Sequence, residues 1–455
     1  METILVRFII NALKCISGNQ KAIDLNGAKI QYQQVDICES TEGVRTFSGY
    51  IHLPVDSLQA VGLDQHLPIN TFFWFAESRT KRDNVPLILY LNGGPGVTTS
   101  FLRENGPCRV NADSRTTRLN PWSWNSESNI LFLDQPVNTG FSFDVPVNGT
   151  INFRGEKSPQ MPQFTQNSRL IEAATIGIGS INSSHTINNT NGAVRAIWLS
   201  LSTWLQDFTP LSSKRNELGI WTASYGGHYA PALYDFTMSQ NRAKAESTSL
   251  LTSQVPRIRI TSIGLANACV DAATQIPTYF EMAYNNTYGL RLINESSYRS
   301  AKLAWDSPGG CKEQIEDCRR AANSIQYLGN NASANTICHN ANTFCGKHIA
   351  NIVSSSGRNI FDIGQRTHFL SDPTLHTYLG YLRQDEVQRA LGVPVNFTDH
   401  AIDIAHAFAE TGDNLLGDYL ASLGRALDDG VKVSLMYGDR DYACNSVVVA
   451  AIADG

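Results

Sequence analysis

Ser224 sits at the head of two glycines in Gly219-Ile220-Trp221-Thr222-Ala223-Ser224-Tyr225-Gly226-Gly227-His228-Tyr229-Ala230-Pro231. An apolar run, Leu218 to Trp221, leads into the serine, and residues able to open a helix come after it. This is the layout of a nucleophile elbow, where a strand turns sharply into a helix and lifts a serine hydroxyl clear of the sheet. The matching chemistry is acyl transfer: the hydroxyl attacks a carbonyl and forms an acyl-enzyme. Glycines after the serine leave the strand–helix approach unobstructed. The usual G-x-S-x-G pattern is broken at one place, since Thr222 stands where the first glycine is expected.

Two further stretches carry chemistry. Asn92-Gly93-Gly94-Pro95-Gly96 directly follows Pro86-Leu-Ile-Leu-Tyr-Leu91, which reads as a buried strand. Glycines at a strand's carboxyl end let backbone N–H groups face a ligand, and such a loop can form an oxyanion hole with the N–H after the nucleophile. Near the end of the chain, Val431 to Tyr437 reads as a strand that ends in Gly438-Asp439-Arg440-Asp441.

The elements that must position these residues emerge from patterning. Tyr32 to Tyr50 reads as paired strands around a Glu42-Gly43 turn, and Thr71–Glu77, Asn129–Leu133 and Ile258–Leu265 read as strands. Ala193 to Phe208 and Leu382 to Leu391 have helical spacing, whereas Val145 to about Asn191 is polar and reads as a long surface loop. Strand, helix and strand alternate, with chemistry at the strand ends, so a doubly wound α/β sheet is expected. The stretch from Ala272 to about Arg383 lacks that rhythm and reads as an insertion or lid.

The 455 residues are 42% hydrophobic and 17% charged, which specifies a folded globular protein. Net charge is −5 without a basic run, and no stretch of about 18 apolar residues occurs, so neither nucleic acid nor membrane is expected as a partner. Nine cysteines and seven sequons, starting at Asn148, Asn182, Asn188, Asn285, Asn294, Asn331 and Asn396, point to the secretory route and to N-glycans. Cys38 has a plausible disulfide partner in Cys108. Cys311, Cys318, Cys338 and Cys345 suit local disulfides; their pairs lack short C-x₂₋₄-C spacing, so no metal and no cofactor are expected. Residues 1–18 resemble a poorly formed leader.

In register along residues 30–445, several motifs together resemble the serine carboxypeptidases, most closely fungal members related to carboxypeptidase S1. They are Leu91-Asn-Gly-Gly-Pro-Gly96, Glu104-Asn-Gly-Pro107, Asn120-Pro-Trp-Ser-Trp124, Leu133-Asp-Gln-Pro136, Gly140-Phe-Ser142, Ser224-Tyr-Gly-Gly-His-Tyr229 and Tyr437-Gly-Asp-Arg-Asp441. The resemblance implies an α/β-hydrolase fold with a mixed, mostly parallel sheet and a disulfide-bearing lid. Its parts would be a core over 30–271, the lid at 272–383, a second core part at 384–445 and a non-matching tail at 446–455. It implies peptide substrates with free C-termini and a secreted or vacuolar location. Residue by residue, it makes Ser224 the nucleophile, Gly94 and Tyr225 the oxyanion donors, and Asp441 the acid, with Asp439 as fallback. Asn92, Gly93 and Glu104 match the groups that grip the substrate's terminal carboxylate. Cys444 matches a free cysteine, and with Cys15 set aside one more cysteine would be unpaired.

Two departures from the family stand out. The family has glutamate before the nucleophile, paired with the one matching Glu104; this chain has Ala223. The chain also ends at Gly455, ahead of the position of the family's catalytic histidine and of a last strand and helix. His228 is too close in sequence to turn back on Ser224 as base. His400 and His406 precede the last strand, on the wrong side of Asp441 in chain order, and the other histidines carry no family motif. An inactive chain is therefore expected as one alternative, and an esterase or acyltransferase on the same scaffold as another.

Overall fold

The computed structural model describes residues 27–80, 82, 84–98, 101–103, 105–151, 157–158, 177–180, 186–211, 216–245, 256–322, 327–366, 374–449 and 452. Its centre is an eight-stranded sheet of β1 (Lys29–Gln34), β2 (Thr46–Leu53), β3 (Ile69–Ala76), β4 (Leu87–Leu91), β5 (Asn129–Leu133), β6 (Glu217–Ser224), β7 (Arg259–Ala268) and β8 (Lys432–Met436). The order is β1-β2-β3-β5-β4-β6-β7-β8. The β1–β2, β2–β3 and β3–β5 pairs are antiparallel. The pairs from β5 through β4, β6 and β7 to β8 are parallel, so the sheet is mixed and mostly parallel, as expected.

Successive side chains of a strand point to opposite faces, and here both faces are covered. Leu89, Leu91, Leu131 and Leu133 enter one core, with α1 (Thr190–Asp207) and α2 (Gly226–Ala245) packed over them. Tyr90, Ile130 and Phe132 enter a second core on the other face. Double coverage is why β4 and β5 read as continuous apolar runs. Helix α1 begins ahead of the expected Ala193 because the Asn189 side chain caps it, accepting from the Gly192 N–H at 2.8 Å.

Between β7 and β8 the chain forms α3 (Ala272–Asn285), α4 (Glu295–Asp306), α5 (Cys311–Ala322) and α6 (Ala332–Cys345), which share a small core of their own. Helices α7 (Thr374–Leu382) and α8 (Asp385–Leu391) return to cover the second face; the helix expected at 382–391 is α8, which starts at Asp385, and α7 precedes it. Finally α9 (Ile402–Thr411) and α10 (Tyr419–Asp428) close the first face. Most of the expected surface loop at 145–191 lies outside the described residues; within it, Ile178 and Ile187 are buried.

Four disulfides are present among the described residues. Cys38–Cys108 forms as expected, and Cys311–Cys345 and Cys318–Cys338 staple α5 to α6, whose small buried residues supply little apolar area. The fourth is a correction. Cys444 is not free but bonded to Cys269, because the loop after β8 folds onto the end of β7 and brings the two Cα atoms to 5.0 Å. No cysteine among the described residues is left unpaired, and Cys15 lies outside them. No described helix is long and apolar enough to cross a membrane.

Candidate active site

Ser224 ends β6 at the sheet's centre, and α2 begins two residues on, at Gly226. Its φ is +56°, a left-handed conformation that a non-glycine residue adopts only under the constraint of its surroundings. The elbow is therefore present. Thr222 explains its own departure from the pattern. It is wholly buried under α2, and a Cβ at Gly226 would lie 2.3 Å from the Thr222 Cβ. The second glycine of the pattern, Gly226, thus leaves the room that the Thr222 side chain fills.

The glycine loop packs directly on this turn. A Cβ at Gly93 would lie 2.5 Å from the Tyr225 N and 2.7 Å from the Ser224 Cβ, so only glycine fits. Gly94 has φ +111° and precedes a cis peptide to Pro95. The Asn92 carbonyl accepts from Gln135 Nε2 at 3.2 Å. Asp134 ties the loop from behind: Oδ1 accepts from the Thr98 hydroxyl at 2.7 Å and Oδ2 from the Phe141 N–H at 2.8 Å. Burial pushes the Asp134 carboxyl up to about 7 against those two hydrogen bonds. Glu104 lies outside the described residues. The segment after it is held by the Ser123 hydroxyl on the Asn105 carbonyl at 3.0 Å and by Asn120 Nδ2 on the Gly106 carbonyl at 2.9 Å.

Asp441 reaches the elbow through β7. The β6–β7 register slips between Ala223 and Ser224, which pair with Ala266 and Ala268 and leave Asn267 as the extra residue of a bulge, at φ +43°. A bulge re-aims a side chain. Asn267 Nδ2 donates to Asp441 Oδ2 at 2.8 Å, and its Oδ1 accepts from the Gly438 N–H at 3.1 Å. Burial pushes the Asp441 carboxyl up to about 6, while the Cys444 and Ala443 N–H groups and Asn267 oppose that rise. Asp439, the fallback, is exposed and accepts instead from the Tyr288 hydroxyl.

The histidines lie elsewhere. His228 is buried, its ring stacked on Tyr225 at 4.3 Å between centroids, and burial lowers it to about 4. His400 bridges to Val97 of the glycine loop, and its Nδ1 meets Asp399 at 2.7 Å. Among the described residues no histidine is hydrogen-bonded to Ser224 or Asp441.

Patterning gave no sign of Asp413, Asn267 or Cys269. The Tyr225 hydroxyl donates to Asp413 Oδ2 at 2.5 Å across 188 residues of sequence, and the Thr190 hydroxyl and N–H donate to the same carboxylate at 2.5 and 2.8 Å. Asp413 thus pins the ring beside Ser224 to the start of α1. An isolated Asp in a short turn carries no motif that announces this.

The serine carboxypeptidase profile matches residues 38–454. The chain belongs to the serine carboxypeptidase family. Carboxypeptidase S1 homolog A of Arthroderma otae is 39% identical over 92% of this chain, and homolog B of the same organism is 40% identical, also over 92%. The chain spans 65% of the length of each of these two relatives. Carboxypeptidase S1 of Penicillium janthinellum is 29% identical over 90% of this chain and 80% of its own length. Among solved structures, that of Kex1(delta)p, a prohormone-processing carboxypeptidase from Saccharomyces cerevisiae, aligns with TM-score 0.58 and 18% identity. The match covers 90% of this chain and 76% of that one, and it shows the α/β-hydrolase fold. The expected alternatives of an inactive chain or an esterase gain no support from these relatives.

Proposed function

We propose that this chain is a serine-type carboxypeptidase that removes C-terminal residues from peptides through an acyl-enzyme on Ser224. The observation that carries the reading is the strained Ser224 at the β6–α2 turn with the Gly93–Gly94 loop packed on the Tyr225 N–H. In this reading Ser224 attacks the scissile carbonyl, and the N–H groups of Gly94 and Tyr225 hold the developing oxyanion. Asp441 takes the position of the triad's acid, and the Cys444 N–H and Asn267 hold that carboxylate in place. Asn92, the Gly93 N–H and Glu104 receive the terminal carboxylate, and helices α3 to α6 belong to the lid over 272–383. The disulfides and exposed sequons support a secreted or vacuolar protein.

The test is direct. A serine-directed phosphonate should label Ser224, and a blocked dipeptide acid should release its C-terminal amino acid. Neither labelling nor release at any pH from 4 to 8 would refute the proposal.

A further inference from the structure

Two backbone hydrogen bonds meet at one covalent bond. The Cys269 N–H donates to the Ser224 carbonyl at 3.0 Å, and the Cys444 N–H donates to Asp441 Oδ1 at 3.1 Å. Cys269 and Cys444 are bonded to each other across 175 residues of sequence. One disulfide therefore joins the residue that fixes the elbow to the residue that fixes the acid. Its exposure is also distinctive. Cys38, Cys108, Cys311, Cys318, Cys338, Cys345 and Cys444 are all buried, at 7% exposure or less. Cys269 alone among the described half-cystines is part-exposed, on the wall of a cleft that Asp271, Gln275, Tyr279 and the buried Cys345 also line.

We infer that Cys269–Cys444 is a positioning link between nucleophile and acid, and the disulfide that a small dithiol opens first, so that reductant lowers acyl transfer. This rests on the acyl-transfer reading above. Thiol–disulfide exchange needs access to a sulfur. A thiolate of the dithiol attacks Cys269 Sγ, forms a mixed disulfide there and expels the Cys444 thiolate, which takes a proton. The reagent's second thiol then displaces Cys269 as a thiol and closes the oxidised reagent. The loop stays folded afterwards, because the Tyr442 and Ala443 N–H groups donate to the Ile360 carbonyl at 2.8 and 3.1 Å and the Tyr279 hydroxyl to the Ala443 carbonyl at 2.8 Å. What is lost is alignment of Asp441 with Ser224. A misplacement of about 1 Å can cost on the order of 100-fold in rate.

The experiment treats the full chain with graded dithiothreitol and maps freed thiols by alkylation and mass spectrometry. Phosphonate labelling of Ser224, hydrogen exchange of residues 438–445 and the melting temperature are followed in parallel. Cys269 and Cys444 should be freed first. Exchange at 438–445 should rise and labelling slow about 10- to 100-fold before the melting transition is lost. Cys269→Ala with Cys444→Ala should show the slow rate without reductant and no further response to it. Prior release of another pair, or an unchanged labelling rate and unchanged exchange with this pair open, would overturn the inference. The order of release and the exchange are read without turnover. A chain that never labels refutes the acyl-transfer reading, and this inference then stands or falls on those two measurements alone.

Discussion

Removing the Asp413 carboxylate tests whether a buried acid holds the Tyr225 side of the elbow. Asp413 is 2% exposed and accepts three hydrogen bonds, from the Tyr225 hydroxyl and from the Thr190 hydroxyl and N–H. In Asp413→Ala all three donors lose their acceptor inside the core. Each unsatisfied buried donor costs about 1–3 kcal/mol, and burial that already raises the Asp413 pKa offsets part of the total. A net loss of about 3–5 kcal/mol is expected. Tyr225→Phe deletes only the phenol and should cost about 1–2 kcal/mol, leaving the Tyr225 N–H in place. Urea unfolding of wild type, both single variants and the double variant forms a double-mutant cycle with an expected coupling of about 1–2 kcal/mol. Phosphonate labelling of Ser224 should slow in both single variants, since the Tyr225 ring no longer fixes the peptide at the turn. Additive free energies, or an Asp413→Ala chain within about 0.5 kcal/mol of wild type, would refute the reasoning.

Gly93→Ala should destabilise by about 1–3 kcal/mol and abolish Ser224 labelling, because its Cβ would lie 2.5 Å from the Ala223 carbonyl oxygen and the Tyr225 N; wild-type labelling would contradict this. Ala223→Glu should raise hydrolysis of an acyl-peptide acid relative to its amide by about 10- to 150-fold, the worth of one hydrogen bond to a charged group. An unchanged ratio would count against a lost carboxylate contact. Stability should fall between about pH 5.5 and 8. Asp134 at about 7, Asp441 and Asp207 at about 6, and the raised Asp413 favour protonation in the fold. Their contribution is full below the unfolded carboxyl pKa and is lost as pH rises through the folded values. His228, lowered to about 4, acts oppositely and is lost as pH falls below about 6.5. A melting temperature higher at pH 8 than at pH 5.5 would refute the balance. Glycans should occupy exposed Asn148, Asn285, Asn294 and Asn331 but not Asn396, which is buried with its Oδ1 accepting from Gln388; peptide mapping decides.

What could be read from sequence was local. The Leu218–Trp221 run, Ser224 and the glycines after it specify strand, turn and helix within a dozen residues, and β4 and β5 announce themselves as apolar runs. Residues linked over long separations were not readable. Asp413 meets Tyr225 only because α9 turns back at Gly412, and Asn267 meets Asp441 only through a bulge. Cys444 matches a free cysteine by motif, yet a motif says which residue is present and not which other cysteine has its Cα 5.0 Å away in this fold. Helices α5 and α6 were hidden because they bury mostly cysteines and alanines, among them Cys318, Ala334, Cys338 and Ala341, rather than a stripe of large apolar residues.

The bulge at Asn267 makes the acid's placement a matter of counting. Side chains along a strand alternate with a period of two, so a one-residue deletion in β7 would turn every residue beyond it to the opposite face. An alanine, Ala266 or Ala268, would then stand where Asn267 now meets Asp441 and Gly438. Substitutions along β7 alter a contact, but a change in its length alters which residue makes it. The strand is therefore expected to accept changes of residue far more readily than changes of length.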